Sequence, residues 1–473
     1  MRIAIIGGGL AGLATAFRLR GLSLTSGREI AVTVFEQGSR FGGAIRTTRR
    51  DGWLIESGAD SFITNRPGGL ELCRELGLES QLIATNPEFR RSLICRDGKL
   101  HPTPAGFELM APRQLGAILT TKLLSWPGKL RLLGEYLMPG AAPDDESVAS
   151  FARRRFGREA FERIIQPMIG GIYAADPEKL SLAATLPRFL EMERQHGSLI
   201  RAFRHQSRQP NAAAEQASGA RYGLFTTLRG GMQVLTDTLV QELKGVTLCL
   251  DSSIQSLRRN GEDWLLRTAA AEMPFDHVVF ACPADHAATI LSAGIEPPAD
   301  IARAALIQEL QGIEYSSTAV VITGHESSTI AHPLDAFGLI IPHVEGRRVM
   351  AVSFPSRKFP DRAPLGFVQL RTFVGGALQR ELLDLDDKQL ADLVETELRS
   401  LFGITAAPEF VQIARYLNAM PQYHLGHGAR IARIKTLIAQ IPHLHLTGNA
   451  YEGVGIPDVI QNAQATAANI LRT

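Results

Sequence analysis

Arg2-Ile3-Ala4-Ile5-Ile6-Gly7-Gly8-Gly9-Leu10-Ala11-Gly12 is the stretch that decides the fold. Ile3–Ile6 is a short apolar run of the kind that fills a strand buried on both faces. It stops at three glycines, and Gly7, Gly9 and Gly12 stand in G-x-G-x-x-G spacing. Apolar and small residues from Leu10 to Leu19 then predict a helix. Each glycine has its own task in such a strand–turn–helix unit. Gly7 allows the tight turn, Gly9 lets a pyrophosphate reach the backbone, and Gly12 lets helix and strand pack closely. Gly8, Leu10 and Ala11 complete the turn, whose amides meet an anion at the helix N-terminus. Beyond the helix, a turn around Thr25–Gly27 leads to a second predicted strand, Ile30–Phe35, which ends at Glu36 and is followed by Gln37. A carboxylate at that point accepts hydrogen bonds from ribose hydroxyls. Glu36 lies 24 residues after Gly12, somewhat past the usual ~20; a small insertion near Thr25–Arg28 would account for the difference. The expected ligand is a dinucleotide.

The next segment indicates which dinucleotide. Arg40-Phe41-Gly42-Gly43-Ala44-Ile45-Arg46-Thr47 matches the R-x-G-G-x-x-x-[ST] pattern that follows the second strand in many flavin oxidases. Gly42 and Gly43 admit the diphosphate and flavin side without a clash. Arg40 is a candidate counter-charge for the anion, with a solvated surface arginine as the plain alternative. Gly58-Ala59-Asp60-Ser61 forms a small-residue turn suited to lie against an isoalloxazine ring.

The chain has 473 residues, enough for two or three domains. A formal net charge of +2 argues against nucleic-acid binding. Cys73, Cys95, Cys249 and Cys282 form no CxxC or Cys/His cluster, so reduced thiols in a reducing compartment are expected, with no metal centre. No apolar run reaches the ~18 residues of a membrane span. The glycines also break any signal-peptide reading of the N-terminus, and a cytoplasmic protein is expected.

Farther along, residues 65–82 predict a helix, and Ser92–Pro102 a hairpin turning at Asp97-Gly98. The span 107–138 is apolar and basic, with Pro112 and Pro127 breaking it into short helices. That span suits a membrane surface, the roof over an apolar substrate, or an ordinary helical subdomain. Ser147–Phe156 and Glu159–Met168 predict helices, and Gln209–Gly219 a loop. Gln233–Leu243 (helix) and Val246–Leu250 (strand) return the chain to the dinucleotide domain, with Val246 placed to lie over adenine. Ile313–Ile322, Phe337–Ile341, Arg348–Phe354 and Leu370–Phe373 have strand character and suggest one wall of a cavity. Lys388–Phe402 is an amphipathic helix. Near the C-terminus, Leu444–Asn449 is a strand running into a glycine-rich turn, Gly448 to Ile456, before a helix over Val459–Leu471. The turn offers a second set of amides, from Val454, Gly455 and Ile456, to the flavin ring edge. No second G-x-G-x-x-G unit is present, so reoxidation falls to O2 or an external acceptor.

Three stretches carry a family resemblance: Gly170-Gly171-Ile172-Tyr173-Ala174-Ala175-Asp176-Pro177-Glu178-Lys179-Leu180-Ser181-Leu182, Ala419-Met420-Pro421-Gln422-Tyr423, and Gly448 to Asp458. With the N-terminal segment, which resembles the flavin amine oxidase superfamily, they resemble the oxygen-dependent protoporphyrinogen/coproporphyrinogen oxidases of haem biosynthesis over essentially the whole chain. The resemblance implies an α/β fold. Its parts would be a discontinuous Rossmann-type FAD-binding domain (residues 1–85, 220–285 and 430–473), a mixed-sheet substrate domain (86–106 and 286–429), and a helical lid or membrane-facing subdomain (107–219). It implies FAD contacts at Gly7–Gly12, Glu36, Gln37, Ala44, Gly58–Ser61, Val246, Tyr416 and Val454–Ile456. It implies that Gly170 and Gly171 let the macrocycle approach. An arginine binds a propionate in some members; here Ser92 stands at the aligned position, with Arg90 and Arg91 before it, and Arg91 is the candidate. The implied reaction is a six-electron oxidation of a porphyrinogen, consuming three O2 and releasing three H2O2. Two propionates or four, monomer or homodimer, peripheral membrane contact and contact with the next haem-pathway enzyme all stay open. No residue stands out as an obligatory acid or base; His427 is a candidate against a structural histidine. The competing readings are an amine oxidase or polyene desaturase, and a non-catalytic protein reusing the fold, as the GDP-dissociation inhibitors do.

Overall fold

The computed structural model describes residues 1–141, 143–206, 225–294 and 301–472. The protein is a mixed α/β molecule. Arg2–Ile6 lies at the centre of a five-stranded sheet, in the order Thr247–Cys249, Ala31–Phe35, Arg2–Ile6, His277–Phe280, Leu444–Leu446. Every pairing in it is parallel. Such a sheet needs cover on both faces, which is why its strands read as unbroken apolar runs. On one face Leu13, Leu19, Leu235, Leu239 and Ile460 pack from helices Leu10–Ser26, Gln233–Glu242 and Ile456–Ile470. On the other, Trp264, Leu291, Leu306 and Ile434 close a second core.

The helix Leu10–Ser26 runs seven residues past its expected end and stops at Gly27, whose left-handed φ of 66° permits the C-cap. The extra residues between Gly12 and Glu36 therefore sit in helical turns rather than in a loop insertion. The helix expected over 65–82 is shorter, Gly68–Glu75, and ends before Gly77, at φ +68°.

A seven-stranded mixed sheet runs in the order Phe410–Pro421, Tyr315–Glu326, Phe367–Gly375, Ala351–Ser353, Gly338–Ile340, Ser92–Arg96, Lys99–Pro102. One face packs on the capped helix Asp387–Phe402. Ile94 and Ile340, on the other, meet a separate helical core from residues 107–203. Pro127 starts the helix Trp126–Leu133, capped by Ser125, instead of ending one. Arg158 to Tyr173 form one continuous helical run, with a π-helical segment at Phe161–Ile165. The loop expected at Gln209–Gly219 lies outside the described residues.

Candidate active site

The Gly7–Gly12 turn follows the C-terminal end of the central strand. Gly7 has φ +114°, and its amide donates to the Phe35 carbonyl at 2.8 Å. A Cβ on Gly12 would stand 1.9 Å from the Gly7 carbonyl oxygen, so close helix–strand packing excludes any side chain there. At Gly9 the nearest atom would be Gly43 Cα, 3.8 Å away, which leaves that side of the turn open. Gly9 caps the helix without a side chain, so the first-turn amides keep their hydrogens for an anion. The Glu36 carboxylate accepts the Gly8 and Gly38 amides, both at 2.8 Å, one on each oxygen. That fixes its orientation and leaves lone pairs for further donors.

The double-glycine segment lies on this turn, with the Gly42 amide donating to the Gly8 carbonyl at 2.9 Å. Gly42 and Gly43 both have positive φ, 105° and 57°. Arg40 does not stand free for an anion. Its guanidinium donates to the carbonyls of Phe41, Gly43 and Ile45, bracing the loop from inside. Gly58 packs under Ala44, where a Cβ would stand 1.8 Å from the Ala44 oxygen and 3.4 Å from the Tyr416 hydroxyl. Segments 42–44, 58–61 and Tyr416 are thus brought together. Val246 precedes strand Thr247–Cys249, which pairs with strand Ala31–Phe35, the one that Glu36 follows. Gly448, at φ +123°, follows the edge strand, and Gly455 caps the helix Ile456–Ile470 without a side chain. Two helix N-termini therefore open at the same edge of the parallel sheet, an arrangement that fits a long anionic dinucleotide.

A small cleft is lined by Gly170, Gly171, Ala174, Ile341, Met350 and Gly375 among others, and by none of the residues at this edge. Nothing stands within 4 Å of where a Gly171 Cβ would be. None of the Gly7–Gly12 residues lines the cleft. Arg91 does not line it either: its side chain pairs with the Asp335 carboxylate and donates to the Asp335 carbonyl at 2.6 Å. His427 is buried, stacked on Tyr423 at 4.0 Å and hydrogen-bonded to the Tyr451 carbonyl at 3.1 Å. Burial, opposed only in part by that bond, lowers its pKa. The ring is a structural wedge between C-terminal segments.

The sequence reading missed Lys358 and Arg371. Lys358 Nζ lies 3.1 Å from both Asp60 oxygens, and Arg371 lies 3.3 Å from one of them. Burial alone would raise the Asp60 pKa; the charges of Lys358 and then Arg371 outweigh it and hold the carboxylate well below the usual range. No local motif announces these partners, because they come from some 300 residues away. All four cysteines are unpaired thiols. Among the described residues no cluster could hold a metal ion, and no helix is long and apolar enough to cross a membrane.

Residues 10–471 match the model of the flavin containing amine oxidoreductases, and the chain belongs to that family. It is a flavin oxidoreductase. More particularly, it is 32% identical to the coproporphyrinogen III oxidase of Bacillus subtilis, over 99% of this chain and 97% of that one. It is 35% identical to the coproporphyrinogen III oxidase of Propionibacterium freudenreichii, over 99% and 90%. A putative protoporphyrinogen oxidase from Exiguobacterium has a similar structure, with a TM-score of 0.87 at 28% identity, covering 100% of this chain and 99% of that one.

Proposed function

We propose that this enzyme oxidises a porphyrinogen, coproporphyrinogen III, to the porphyrin in haem synthesis, with FAD as cofactor, O2 as acceptor and H2O2 released. The observation that carries this reading is full-length similarity to coproporphyrinogen III oxidases at 32% and 35% identity. The positive-φ glycine turn, the oriented Glu36 carboxylate and the two side-chain-free helix starts support FAD. When bound, FAD supplies the two-electron acceptor for each of the three oxidation steps.

The chain's own residues bind and orient. Gly7–Gly12 hold the pyrophosphate, Glu36 with Gln37 and Val246 hold the adenosine end, and Gly42–Ala44, Gly58–Ser61, Tyr416, Gly448 and Val454–Ile456 hold the flavin end. Gly170 and Gly171 present bare helix surface to the flat macrocycle; the open space at the Gly171 Cβ position supports this role. Arg91 reads better as a surface ion pair than as a propionate ligand. No side chain is assigned as acid or base; enclosure and orientation supply the rate.

The parallel sheet serves as a Rossmann-type FAD-binding domain (residues 1–85, 220–285 and 430–473). The mixed sheet serves as the substrate domain (86–106 and 286–429), and the described residues of 107–219 as the helical lid. Separate apolar cores support this division, with one shift of boundary: Leu291, Leu306 and Leu310 pack on the parallel sheet, so their helices go with the FAD-binding part. Trp126, Leu130 and Leu137 are 65%, 66% and 79% exposed on the helical part, which supports peripheral contact with a membrane surface.

The test is to purify the protein, record its visible spectrum, and follow porphyrin fluorescence and H2O2 in air with coproporphyrinogen III and with protoporphyrinogen IX. Faster oxidation of coproporphyrinogen is expected. A yellow protein that oxidises neither above the autoxidation blank overturns the substrate assignment and moves it to an amine or polyene.

A further inference from the structure

Buried charge beside the flavin-end residues does not balance. Asp60, Lys358 and Arg371 have side chains only 14%, 13% and 4% exposed, one carboxylate against two cations. Lys358 is 3.1 Å from each Asp60 oxygen and 3.0 Å from the Ser61 hydroxyl, so it accounts for the Asp60 charge. Arg371 Nη1 is 3.3 Å from Asp60, and its Nη2 donates to a neutral group, the Gly58 carbonyl, at 2.5 Å. Its Nε makes no hydrogen bond among the described residues. The nearby Glu56 is satisfied by the Met232 amide and the Thr47 hydroxyl rather than by a cation. Glu56 and Asp60 also face a third buried cation, Arg362, so three cations stand against two carboxylates and one positive charge is left over. Strand Phe367–Gly375 carries Arg371 into the space between Gly58 and the Tyr416 side, and its field reaches the Tyr416 hydroxyl. A cation kept from water acts over several ångströms with little screening.

We propose that Arg371, seated on the Lys358–Asp60 pair, is a positioning and potential-setting residue that places one net positive charge beside the flavin and favours its reduced, anionic form. The inference rests on the assignment of Gly58–Ser61 and Tyr416 to the flavin end of the site. Two electrons and one proton taken from the porphyrinogen leave the flavin with one more negative charge than before, and a fixed neighbouring cation stabilises that charge without reorganising. Arg371 neither touches the reacting atoms nor moves a proton. It makes each hydride removal from the macrocycle more favourable.

The experiment uses the FAD-loaded full chain. Wild type, Arg371→Met, Arg371→Lys, Lys358→Met and Asp60→Asn are reduced by dithionite against a reference dye, and sulfite affinity is titrated from the visible spectrum. The neutralising variants R371M and K358M should disfavour the reduced form at least tenfold, about 30 mV for a two-electron couple, with sulfite binding weakened by a similar factor. D60N removes a negative charge and should move both readouts the other way, and R371K should stay near wild type. A merely structural role would move R371M and D60N in the same direction, or neither. Either result in yellow, folded variants overturns the proposal. A wild type that binds no FAD would instead overturn the reading of the site on which the proposal stands.

Discussion

Two glycines of this chain make opposite predictions under the same substitution. A Cβ on Gly12 would meet the Gly7 carbonyl at 1.9 Å, and neither partner is the free end of a side chain. G12A should therefore lose FAD and destabilise the parallel sheet, seen as a colourless protein with a lowered melting temperature. Gly171 has no atom within 4 Å of its Cβ position and lies inside a helix. There alanine should hold or raise stability by about 0.5–1 kcal/mol, keep FAD, and raise the porphyrinogen KM about tenfold. Unchanged KM in G171A would remove that residue from the substrate surface. At this scale the turn was legible, because G-x-G-x-x-G spacing is local. Arg40 was not legible: a charge with three carbonyls of its own loop within reach has no need of a phosphate, and that geometry exists only once the loop is closed. Lys358 and Arg371 were invisible for a similar reason, since Asp60 meets them through the sheet and not along the chain.

Among elements, the strands and helices of the parallel sheet were readable from continuous apolar runs. The strand Phe410–Pro421 was not, because its residues are mostly half-buried and carry Arg415 and Asn418 where an alternating pattern would show. The helix starting at His427 was hidden by a glycine cap, Gly426 at φ 82°, that resembles a loop. Where strands His277–Phe280 and Leu444–Leu446 begin, three histidines gather. His277 and His445 are 3.2 Å apart, and His443 lies ring to ring with His277 at 4.5 Å. Burial, then the His443 charge, lowers the His277 pKa to about 4; burial, then His277 and His443, lowers that of His445 to about 3. Both folded values lie below the ordinary 6.5, so the unfolded chain takes up protons first. Stability is full above about pH 6.5 and declines as pH falls toward 4. Urea midpoints at pH 7 and pH 5 should show that loss, and H277Q/H445Q should flatten it; an unchanged slope in the double variant would place the acid sensitivity elsewhere.

For the molecule as a whole, the helical part is pinned by ions rather than by apolar contact alone. Arg155 and Glu135 are fully buried partners, and Arg155 also meets Glu193 at 3.1 Å. R155M leaves the buried Glu135 without its cation, while Glu193 keeps Arg154, and should cost about 3–5 kcal/mol by urea unfolding. The same part carries the exposed Trp126, Leu130 and Leu137. Vesicles should blue-shift Trp126 fluorescence, and L130S/L137S should reduce co-sedimentation severalfold while leaving oxidation of a soluble porphyrinogen intact. Equal sedimentation of the variant would remove that patch as an anchor.

The strand order of the parallel sheet also sets a timetable. Ala31–Phe35 and Arg2–Ile6 are made first, but Leu444–Leu446 and the helix that follows are made last. At bacterial-to-eukaryotic synthesis rates the interval is roughly 20–80 s. Throughout it the apolar central strand and the glycine turn wait without their edge. An exposed apolar strand over that interval predicts chaperone binding to the nascent chain, which crosslinking to stalled ribosome-bound chains of increasing length would show.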